Sequence, residues 1–463
     1  MSPPSIAIIG AGPAGLSLAR ILKVRLESLP PNSLDITIFE RDSSQHSQTD
    51  QIGTLDLHLS TGLAAMKAAG LWEEFLKYAR YDGEELVIAD KNGTEMVHMT
   101  PGGGTTVGVE QSRPEIDRET LVGVLLKSVG KDCIHWGMKL KSVRDDGILE
   151  FADGSSAGPF DLVVGSDGTW SKVRPLLTSI KPRYSGICGF ESLIVNPNEN
   201  YPKLSRMLGR GAYFVFSESK SMMAHRLGND NIKMNYWMQE DELYQADVMK
   251  EIGGDEDKLR KILRERYTGW LPALRNCIDA SSRFRSRALY ELPVGDKWEH
   301  KKGFTLIGDS AHLMTPFSGK GANAAMRDAL DLADAIVDCL KNGTDLDTAV
   351  EGFETQMFPR ATKVQELTMM HKVHMYGADA PIGFMVQMMD VIAEAKGKKL
   401  DDGFLRWIPI KRSVYLLAWL ITSLGAFRRM VREWYWYRSV RLGWSTEDLQ
   451  YPAKSHGHLS ENT

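Results

Sequence analysis

Residues 5–15 read SIAIIGAGPAG, in which the apolar run IAII leads directly into three glycines. An apolar run of this length bounded by glycine predicts a buried β-strand followed by a tight turn. Gly10 would make the turn, Gly12 would let a pyrophosphate approach the backbone, and Gly15 would let the next helix pack closely on the strand. The stretch therefore predicts the strand, turn and helix of a Rossmann-type dinucleotide-binding unit.

A second predicted strand, residues 35–39, ends at Glu40 and follows a helical stretch that extends to about Glu27. In such units the acid at this position accepts hydrogen bonds from ribose hydroxyls, and the helix N-terminus offers N–H groups to the phosphates. The strand, the helix and the acid all occur where a nucleotide-binding unit requires them, which disfavours the alternative that the glycines form a turn without a ligand. The pattern alone does not separate FAD from NAD.

A second glycine motif, IGDSAHLMTPFSGKGANAAMRD, covers residues 307–328 and again follows a predicted strand. The strand delivers Asp309 at its carboxyl end, where an acid can bind a chain of hydroxyls. A loop with Pro316 and two glycines then opens a long helix. The N–H groups at the start of that helix, near Gly321–Asn323, can stabilise a developing anion.

A third segment, residues 162–174, ends a buried strand at Asp167 and Gly168. Such pairs are also frequent turns without a ligand, so this motif alone decides nothing. Strand–helix–strand segments at the start and near residue 300 flank a strand-rich region, which predicts an α/β fold with an inserted sheet. The predicted domains are a Rossmann-type domain (1–80, 108–180 and 285–345), an inserted β-sheet substrate domain (81–107 and 181–284) and a C-terminal helical extension (346–463).

The composition is that of a folded protein: 463 residues, 43% hydrophobic and 25% charged. The chain has 56 Lys and Arg against 60 Asp and Glu, a net charge of −4, which disfavours nucleic acid as a partner. Its four cysteines lack metal-ligand spacing, so we expect no metal and reduced thiols in an intracellular, cytoplasmic protein. We also expect no signal peptide, because the glycine motif begins almost at once.

The three motifs, in this order and spacing, resemble those of the single-component FAD-dependent aromatic hydroxylases of the para-hydroxybenzoate hydroxylase type. Four further segments are similar to the tetracycline-inactivating flavin monooxygenases. They are GTLDLH (53–58), MKAAGL (66–71), PEIDR (114–118) and FETQMF (353–358). The resemblance covers roughly residues 5–375 and implies a Rossmann-type FAD-binding domain with an inserted substrate sheet.

The resemblance implies a role for each matching residue. The FAD pyrophosphate would be held by Gly10, Gly12 and Gly15. The adenosine ribose would bind Glu40, and the ribityl chain would bind Asp309. The other residues with implied cofactor contacts are Arg41 and Arg118, Gly53 and Asp56 beside the isoalloxazine, Gly321 and Ala322 against the ring, and Asp167, whose motif concerns both FAD and NADPH.

The resemblance also implies two half-reactions. NADPH, bound only transiently, passes a hydride to FAD, and the reduced flavin reacts with O2 to give a C4a-hydroperoxide that transfers one oxygen atom to the substrate. A dry pocket matters because a solvated hydroperoxide collapses to hydrogen peroxide. The implied enzyme is an FAD-dependent, NAD(P)H-consuming monooxygenase that hydroxylates or epoxidises a hydrophobic aromatic or polycyclic small molecule. The alternatives are a flavin-dependent reductase of the same fold with a lipid-like substrate, and a non-enzymatic lipid- or partner-binding protein.

The substrate pocket is expected in the strand-rich region. Glu191 and Arg210 match substrate-contacting residues of the tetracycline enzymes and are the predicted catalytic residues. The alternative is that Glu191 is an ordinary acid on a surface strand and that Arg210 is a solvated arginine in a loop. The family's histidine on the following strand appears as Met234 or Asn235, which disfavours tetracycline as the substrate. Nearby bulky side chains suggest a large apolar substrate, or a plain sheet core: Phe190, Tyr213, Phe214, Phe216, Met222, Met223, Met234, Tyr236 and Trp237.

Segment 404–444 carries eight basic residues and one acid, and contains fifteen uncharged residues between Arg412 and Arg428. As a helix this run would be roughly 22 Å long, short of a bilayer core of about 30 Å. Two interpretations stay open. The segment is either an interfacial helix that makes peripheral membrane contact, or a helix that packs on the protein, closes the pocket or forms a dimer contact.

Overall fold

The computed structural model describes residues 3–44, 52–100, 113–130, 132–385 and 387–388. All of them belong to one compact unit, residues 1–400. In chain order, the strands and helices are β1 (Ser5–Ile9), α1 (Pro13–Leu26), β2 (Asp35–Phe39), β3 (Thr54–Asp56), α2 (Gly62–Ala68), α3 (Trp72–Leu76), β4 (Leu86–Ala89), β5 (Glu95–Met99), β6 (Glu115–Asp117), α4 (Arg118–Val129), β7 (Ile134–His135), β8 (Leu140–Val143), β9 (Leu149–Phe151), β10 (Ser156–Ala157), β11 (Leu162–Gly165), β12 (Arg183–Ile194), α5 (Pro197–Asn200), α6 (Pro202–Leu208), β13 (Ala212–Ser217), β14 (Lys220–Arg226), β15 (Ile232–Gln239), α7 (Tyr244–Ile252), α8 (Glu256–Arg266), α9 (Pro272–Ala280), β16 (Ser282–Glu291), β17 (Phe304–Leu306), α10 (Asp309–His312), α11 (Gly321–Asn342) and α12 (Leu346–Tyr376).

Five parallel strands form the sheet that contains the first glycine motif, in the order β17-β11-β1-β2-β7. Ile9 of β1 lies opposite Phe39 of β2 and Gly165 of β11, so the carboxyl ends of these strands meet at one edge. The central strands are buried on both faces, which explains their continuous apolar sequences. In open parallel sheets, ligands bind at this carboxyl edge.

A second sheet has seven strands in the order β16-β12-β15-β14-β13-β4-β5. One of its faces packs against α7, α8 and α9, and buries Tyr236 and Tyr267 completely. The opposite face carries Met223 and Trp237, which pack in one cluster with Phe317 from the second glycine motif. This second face, named here the inner face, therefore points toward the loop that follows β17.

A two-stranded sheet connects segments that are distant in sequence. Strand β3 pairs antiparallel with β6, with Thr54 opposite Asp117 and Asp56 opposite Glu115. Segments 53–58 and 114–118 therefore lie side by side. A further three-stranded sheet, β10-β9-β8, lies outside the two large sheets.

The α/β class predicted from the sequence is confirmed, with a parallel nucleotide-binding sheet, a second β-sheet and helices at the C-terminal side. Helices α8 and α9 are separate, because Gly269 takes a left-handed φ of 83° and Pro272 begins α9. Among the described residues, no helix is long and apolar enough to cross a bilayer. The domain boundaries stay a prediction, and segment 404–444 lies outside the described residues.

Candidate active site

The three glycines after β1 have different structural roles. A Cβ on Gly10 would lie 2.6 Å from the Ser166 carbonyl oxygen, and one on Gly15 would lie 2.2 Å from the Gly10 carbonyl oxygen. These two glycines therefore permit close backbone packing. A Cβ on Gly12 would meet no described atom within 4 Å, so the backbone there is open to a ligand. Gly12 directly precedes α1, and no described side chain caps that helix.

Glu40 is only 6% exposed and lies against the glycine loop. Its Oε2 accepts a hydrogen bond from the Ala11 N–H at 2.6 Å, and its Oε1 accepts from the Asp42 N–H at 3.0 Å. Arg41 points outward, with its side chain 67% exposed and 3.8 Å from Asp42. In the structure, Glu40 thus contacts the glycine loop, whereas the side chain of Arg41 lies at the protein surface.

The second and third motifs are joined by hydrogen bonds. Ser310 Oγ donates to Asp167 Oδ1 at 3.1 Å and accepts from the Gly168 N–H at 2.8 Å. Buried Arg174 donates to the carbonyl oxygens of Ser310 (2.8 Å) and Asp309 (2.9 Å). The sequence did not single out Ser310 or Arg174, although both lie inside the recognised motifs. Together they hold Asp167 and Asp309 at the carboxyl edge of the sheet.

Arg118, the first residue of α4, lies within electrostatic reach of Asp309. Burial lowers the pKa of the Arg118 guanidinium, and the Asp309 carboxylate opposes that shift. Burial likewise lowers the pKa of Arg174, against the opposing charges of Asp167 and Asp309. Two arginines and two acids from separate parts of the chain therefore surround the end of β17.

Asn323, in the first turn of α11, ties the second glycine motif to segment 53–58. Its Oδ1 accepts from the His58 N–H and the Thr61 hydroxyl, both at 2.9 Å, and its Nδ2 donates to the Asp56 carbonyl oxygen at 2.7 Å. Asp56 Oδ2 also lies 3.0 Å from His58 Nε2. The sequence placed Asn323 at the anion-binding helix start but did not predict the bonds of its side chain; a polar residue at that position was the available signal.

Gly321 and Ala322 begin α11 directly before Asn323. Among the atoms that the structure describes, a Cβ on Gly321 would meet only Met314 Cγ, at 4.0 Å, so this backbone too is open. A Cβ on Gly319 would lie 3.4 Å from Asp56 Oδ1. The predicted flavin-ring residues Asp56, Gly321 and Ala322 are therefore grouped around one loop.

His312 belongs to a buried ion network below that loop. Its Nε2 lies 2.6 Å from Asp328 Oδ2, while Asp328 accepts from the Gly308 N–H at 3.0 Å and from Arg360 at 2.7 Å. Burial opposes charge on both groups, yet their pairing raises the pKa of His312 and lowers that of Asp328. These contacts give His312 a structural role in the core beneath the loop.

Glu191 lies in a cluster of charges on the inner face of the seven-stranded sheet. Its Oε1 accepts from Lys233 Nζ at 3.0 Å and its Oε2 from Arg287 Nε at 3.3 Å. Burial opposes ionisation of Glu191, but Lys233 and Arg287 hold its pKa below the usual range. Lys233 Nζ also lies 3.7 Å from the position of a Cβ on Gly53. Sequence reasoning missed Lys233, although strand alternation on β15 places it beside Glu191.

Arg210 is placed differently from Glu191. Its side chain is 70% exposed and pairs with Asp82 at 2.6 Å, and its backbone N–H donates to Glu85 at 2.6 Å. No contact joins Arg210 to Glu191 within the part of the chain that the structure describes. The roles of both residues stay predictions.

The bulky side chains predicted near the substrate divide between the two faces of the sheet. Those in the core against the helices are Phe190, Tyr213, Met222, Met234 and Tyr236. Those on the inner face are Phe214, Phe216, Met223 and Trp237. Of the two positions proposed for the family's histidine, Asn235 therefore shares a face with Glu191, and Met234 does not.

A family model described as an FAD binding domain matches residues 4–368. This chain belongs to that family. Monooxygenase asqM of Emericella nidulans is 30% identical over 426 residues, which cover 78% of this chain and 93% of the relative. The expectation of an FAD-dependent monooxygenase is confirmed at the level of the family.

Solved structures share the fold. HpxO from Klebsiella pneumoniae, complexed with FAD and uric acid, superposes with a TM-score of 0.64 and 20% identity, covering 91% of this chain and 97% of that one. Tetracycline destructase Tet(51) gives a TM-score of 0.59 and 17% identity, with 85% and 97% covered. At these identities the likeness shows the fold alone. The open backbones at Gly12 and Gly321, and the acids at the ends of β2 and β17, fit FAD.

Proposed function

We propose that this protein inserts one atom of O2 into a hydrophobic aromatic or polycyclic small molecule and consumes NAD(P)H. The balance is substrate, O2, NAD(P)H and a proton giving oxygenated substrate, water and NAD(P)+. The observation that carries the proposal is the link between the two halves of the site. Asn323 binds the Asp56 backbone, Gly319 borders the Asp56 carboxylate, and Gly53 borders Lys233 on the inner face. The loop that we assign to the cofactor and the surface that we assign to the substrate are therefore neighbours.

The chain's own residues would hold FAD at the carboxyl edge of the parallel sheet. The N–H groups of the Gly10–Gly15 loop and of α1 would bind the pyrophosphate, and Glu40 would exchange its present bond to Ala11 for ribose hydroxyls. Asp309, fixed through Arg174 and Ser310, would bind the ribityl chain. When bound, FAD supplies the transfer of electrons from NAD(P)H and the activation of O2.

The inner face would position the substrate and exclude water. Phe214, Met223 and Trp237 pack there beside Phe317, so the surface between the sheet and the cofactor loop is largely apolar. Burial and the charge of Lys233 lower the pKa of His225 to about 4, so that imidazole is neutral near pH 7. Low water content favours transfer of oxygen to the substrate over loss as hydrogen peroxide.

Glu191 and Arg210 remain our proposed substrate contacts. Arg210→Ala should raise the substrate KM by about tenfold, the effect of losing a hydrogen bond to a charged group, and should leave FAD retention intact. Steady-state kinetics would measure this, with Arg206→Ala on exposed α6 as the control. Loss of FAD, or an unchanged KM, would show that Arg210 has another role.

Peripheral membrane contact through segment 404–444 is also a proposal, supported by its basic residues around an apolar run. Deletion of residues 404–463 should abolish co-sedimentation with vesicles that contain anionic lipid, while FAD stays bound. The full chain is the control. A truncated protein that still pellets with vesicles would contradict the membrane interpretation.

The test of the function is an oxygen and peroxide balance. FAD-loaded protein is given NADPH, O2 and a panel of hydrophobic aromatics and terpenoids. We expect at least one compound to accelerate NADPH oxidation while peroxide falls below one equivalent per NADPH. Peroxide equal to NADPH with every compound would count against monooxygenation. Anaerobic turnover of an electron-accepting olefin would then identify the reductase alternative.

A further inference from the structure

The cofactor loop, residues 313–320 between α10 and α11, is attached along one side to helix α12. The ring nitrogen Nδ1 of His371 lies 3.0 Å from the Phe317 carbonyl oxygen. Because a carbonyl oxygen only accepts hydrogen bonds, Nδ1 carries the proton and donates it. Thr368, about one helical turn earlier, has its Oγ1 2.5 Å from Ser318 Oγ. Two consecutive loop residues are therefore held by two side chains on one face of α12.

Other contacts confine the same part of the loop. Phe317 is 6% exposed, and its ring centre lies 5.2 Å from that of Tyr376 at the end of α12. The Tyr376 hydroxyl forms a 2.9 Å hydrogen bond with Ser221 Oγ of β14. On the opposite side, a Cβ on Gly319 would lie 3.4 Å from Asp56 Oδ1. The loop thus lies between α12 and β3.

Helix α12 is itself attached to both large sheets, so it gives the loop a fixed support. In its first half, buried Glu354 accepts a hydrogen bond from the Thr305 hydroxyl of β17 at 2.8 Å. Near its end, Lys372 donates to Glu291 of β16 at 2.7 Å, and both of these side chains are largely buried. Breaking a buried ion pair is costly, which restrains the helix. The residues that hold the loop lie between these two attachments.

The cofactor loop ends where α11 begins, at Gly321 and Ala322, the residues that we assign to the flavin ring. The N–H groups at a helix start carry partial positive charge and favour negative charge nearby. A reduced flavin carries more negative charge than an oxidised one, so these groups would favour the reduced form. Because Phe317 lies only four residues before Gly321, the position of its carbonyl group affects where these N–H groups point.

His371 acts on the loop by hydrogen bonding and not by charge. Burial lowers the pKa of its imidazole, the bond to the Phe317 carbonyl opposes that shift, and nearby Lys320 and His374 reinforce it. The imidazole is therefore neutral at pH 8. Replacing His371 by an uncharged side chain at that pH removes the hydrogen bond and leaves the net charge of the site unchanged.

We propose that His371 is a positioning residue for the flavin. Through the Phe317 carbonyl it holds the cofactor loop so that the N–H groups at the start of α11 face the flavin ring and stabilise its reduced form. Thr368 supports the same loop through Ser318. The proposal rests on the proposed function, because it uses the cofactor assignment made there.

The test is the two-electron midpoint potential of bound FAD, measured anaerobically at pH 8 without substrate. We expect His371→Leu to lower this potential by about 30 mV, which corresponds to an approximately tenfold weaker preference for reduced over oxidised FAD. His371→Asn keeps an N–H donor at the position of Nδ1, so its potential should return to within about 10 mV, or about twofold, of the wild type. His374→Leu, the same change on the same helix, is the matched control and should keep the wild-type potential.

An unchanged potential in His371→Leu overturns the proposal, and so does an equal fall in His371→Asn or in His374→Leu. If the His371→Leu protein does not bind FAD, Thr368→Val decides, because valine has nearly the shape of threonine and removes only the bond to Ser318. A lower potential in Thr368→Val then supports the proposal, and a wild-type potential overturns it. Failure of the proposed function is a separate result, in which the wild type returns all O2 as peroxide while His371→Leu still lowers the potential.

Discussion

At the scale of single residues, acids at the ends of buried strands are central to the proposed cofactor site. Glu40 and Asp309 each follow an apolar strand, and parallel pairing brings both strand ends to one edge. This placement could be predicted, because it depends only on local strand patterns and on glycine. The residues that contact these acidic positions could not be predicted in the same way. Arg174 reaches Asp309 across more than a hundred residues of sequence.

Asp309→Ala should weaken FAD binding about tenfold or more, because the ribityl hydroxyls lose a charged acceptor. The Asp309 contact with Arg174 uses the backbone carbonyl, so the fold should survive the change. Titration of apo-protein with FAD, followed by flavin fluorescence, measures the affinity. Asp257→Ala on exposed α8 serves as the control, and unchanged FAD affinity in D309A would contradict the assigned role.

Asp328→Asn should lower the free energy of unfolding by about 3–5 kcal/mol, because it leaves buried His312 without its carboxylate, whereas Arg360 keeps its pair with Asp331. The pKa of His312 is raised above 6.5, so its charged form stabilises the fold below that pH and this contribution is lost as pH rises through the raised pKa. The difference in unfolding free energy between the wild type and the variant should therefore be largest near pH 6 and should decrease above it. Denaturant unfolding at several pH values tests this prediction, with Asp338→Asn as the exposed control. A difference in unfolding free energy that increases with pH would contradict the prediction.

At the scale of elements, glycine motifs and their flanking strands were predictable, and helix ends were less so. Asp117 is the kind of residue that commonly caps a helix and it precedes α4, but its carboxylate accepts from the Gly228 N–H and from Arg80 instead of capping the helix. A cap is inferred from local sequence, whereas Arg80 and Gly228 reach Asp117 only in the folded chain.

The two kinds of glycine in the first motif make opposite predictions. Gly12→Val adds a side chain into open space, so folding should be kept while FAD affinity falls at least about tenfold through lost phosphate contacts. Gly15→Ala places a Cβ against the Gly10 carbonyl oxygen and should destabilise even the apo-protein by about 1–3 kcal/mol. Thermal unfolding of the two variants in the absence of FAD distinguishes the loss of stability from the loss of FAD affinity. Equal loss of stability in both variants would contradict the distinction.

At the scale of the whole molecule, the sequence predicted the α/β class and the FAD family, because three motifs with fixed local geometry occur in order. It did not predict which polar residues share the inner face of the seven-stranded sheet. Glu191 was found by resemblance, but Lys233 was missed, and Arg210 lies exposed beside Asp82. The pairing of β12 with β15 decides these positions, and single-sequence patterns do not fix strand register.

The central claim is that the enzyme transfers one atom of O2 to an organic substrate. The most direct test is turnover under 18O2 with the compound that best suppresses peroxide, followed by mass spectrometry of the product. We predict a product heavier by one 18O atom, and no label when 18O is supplied only as water. A product without 18O, formed while NADPH is consumed, would contradict the claim and identify a reductase or an oxidase.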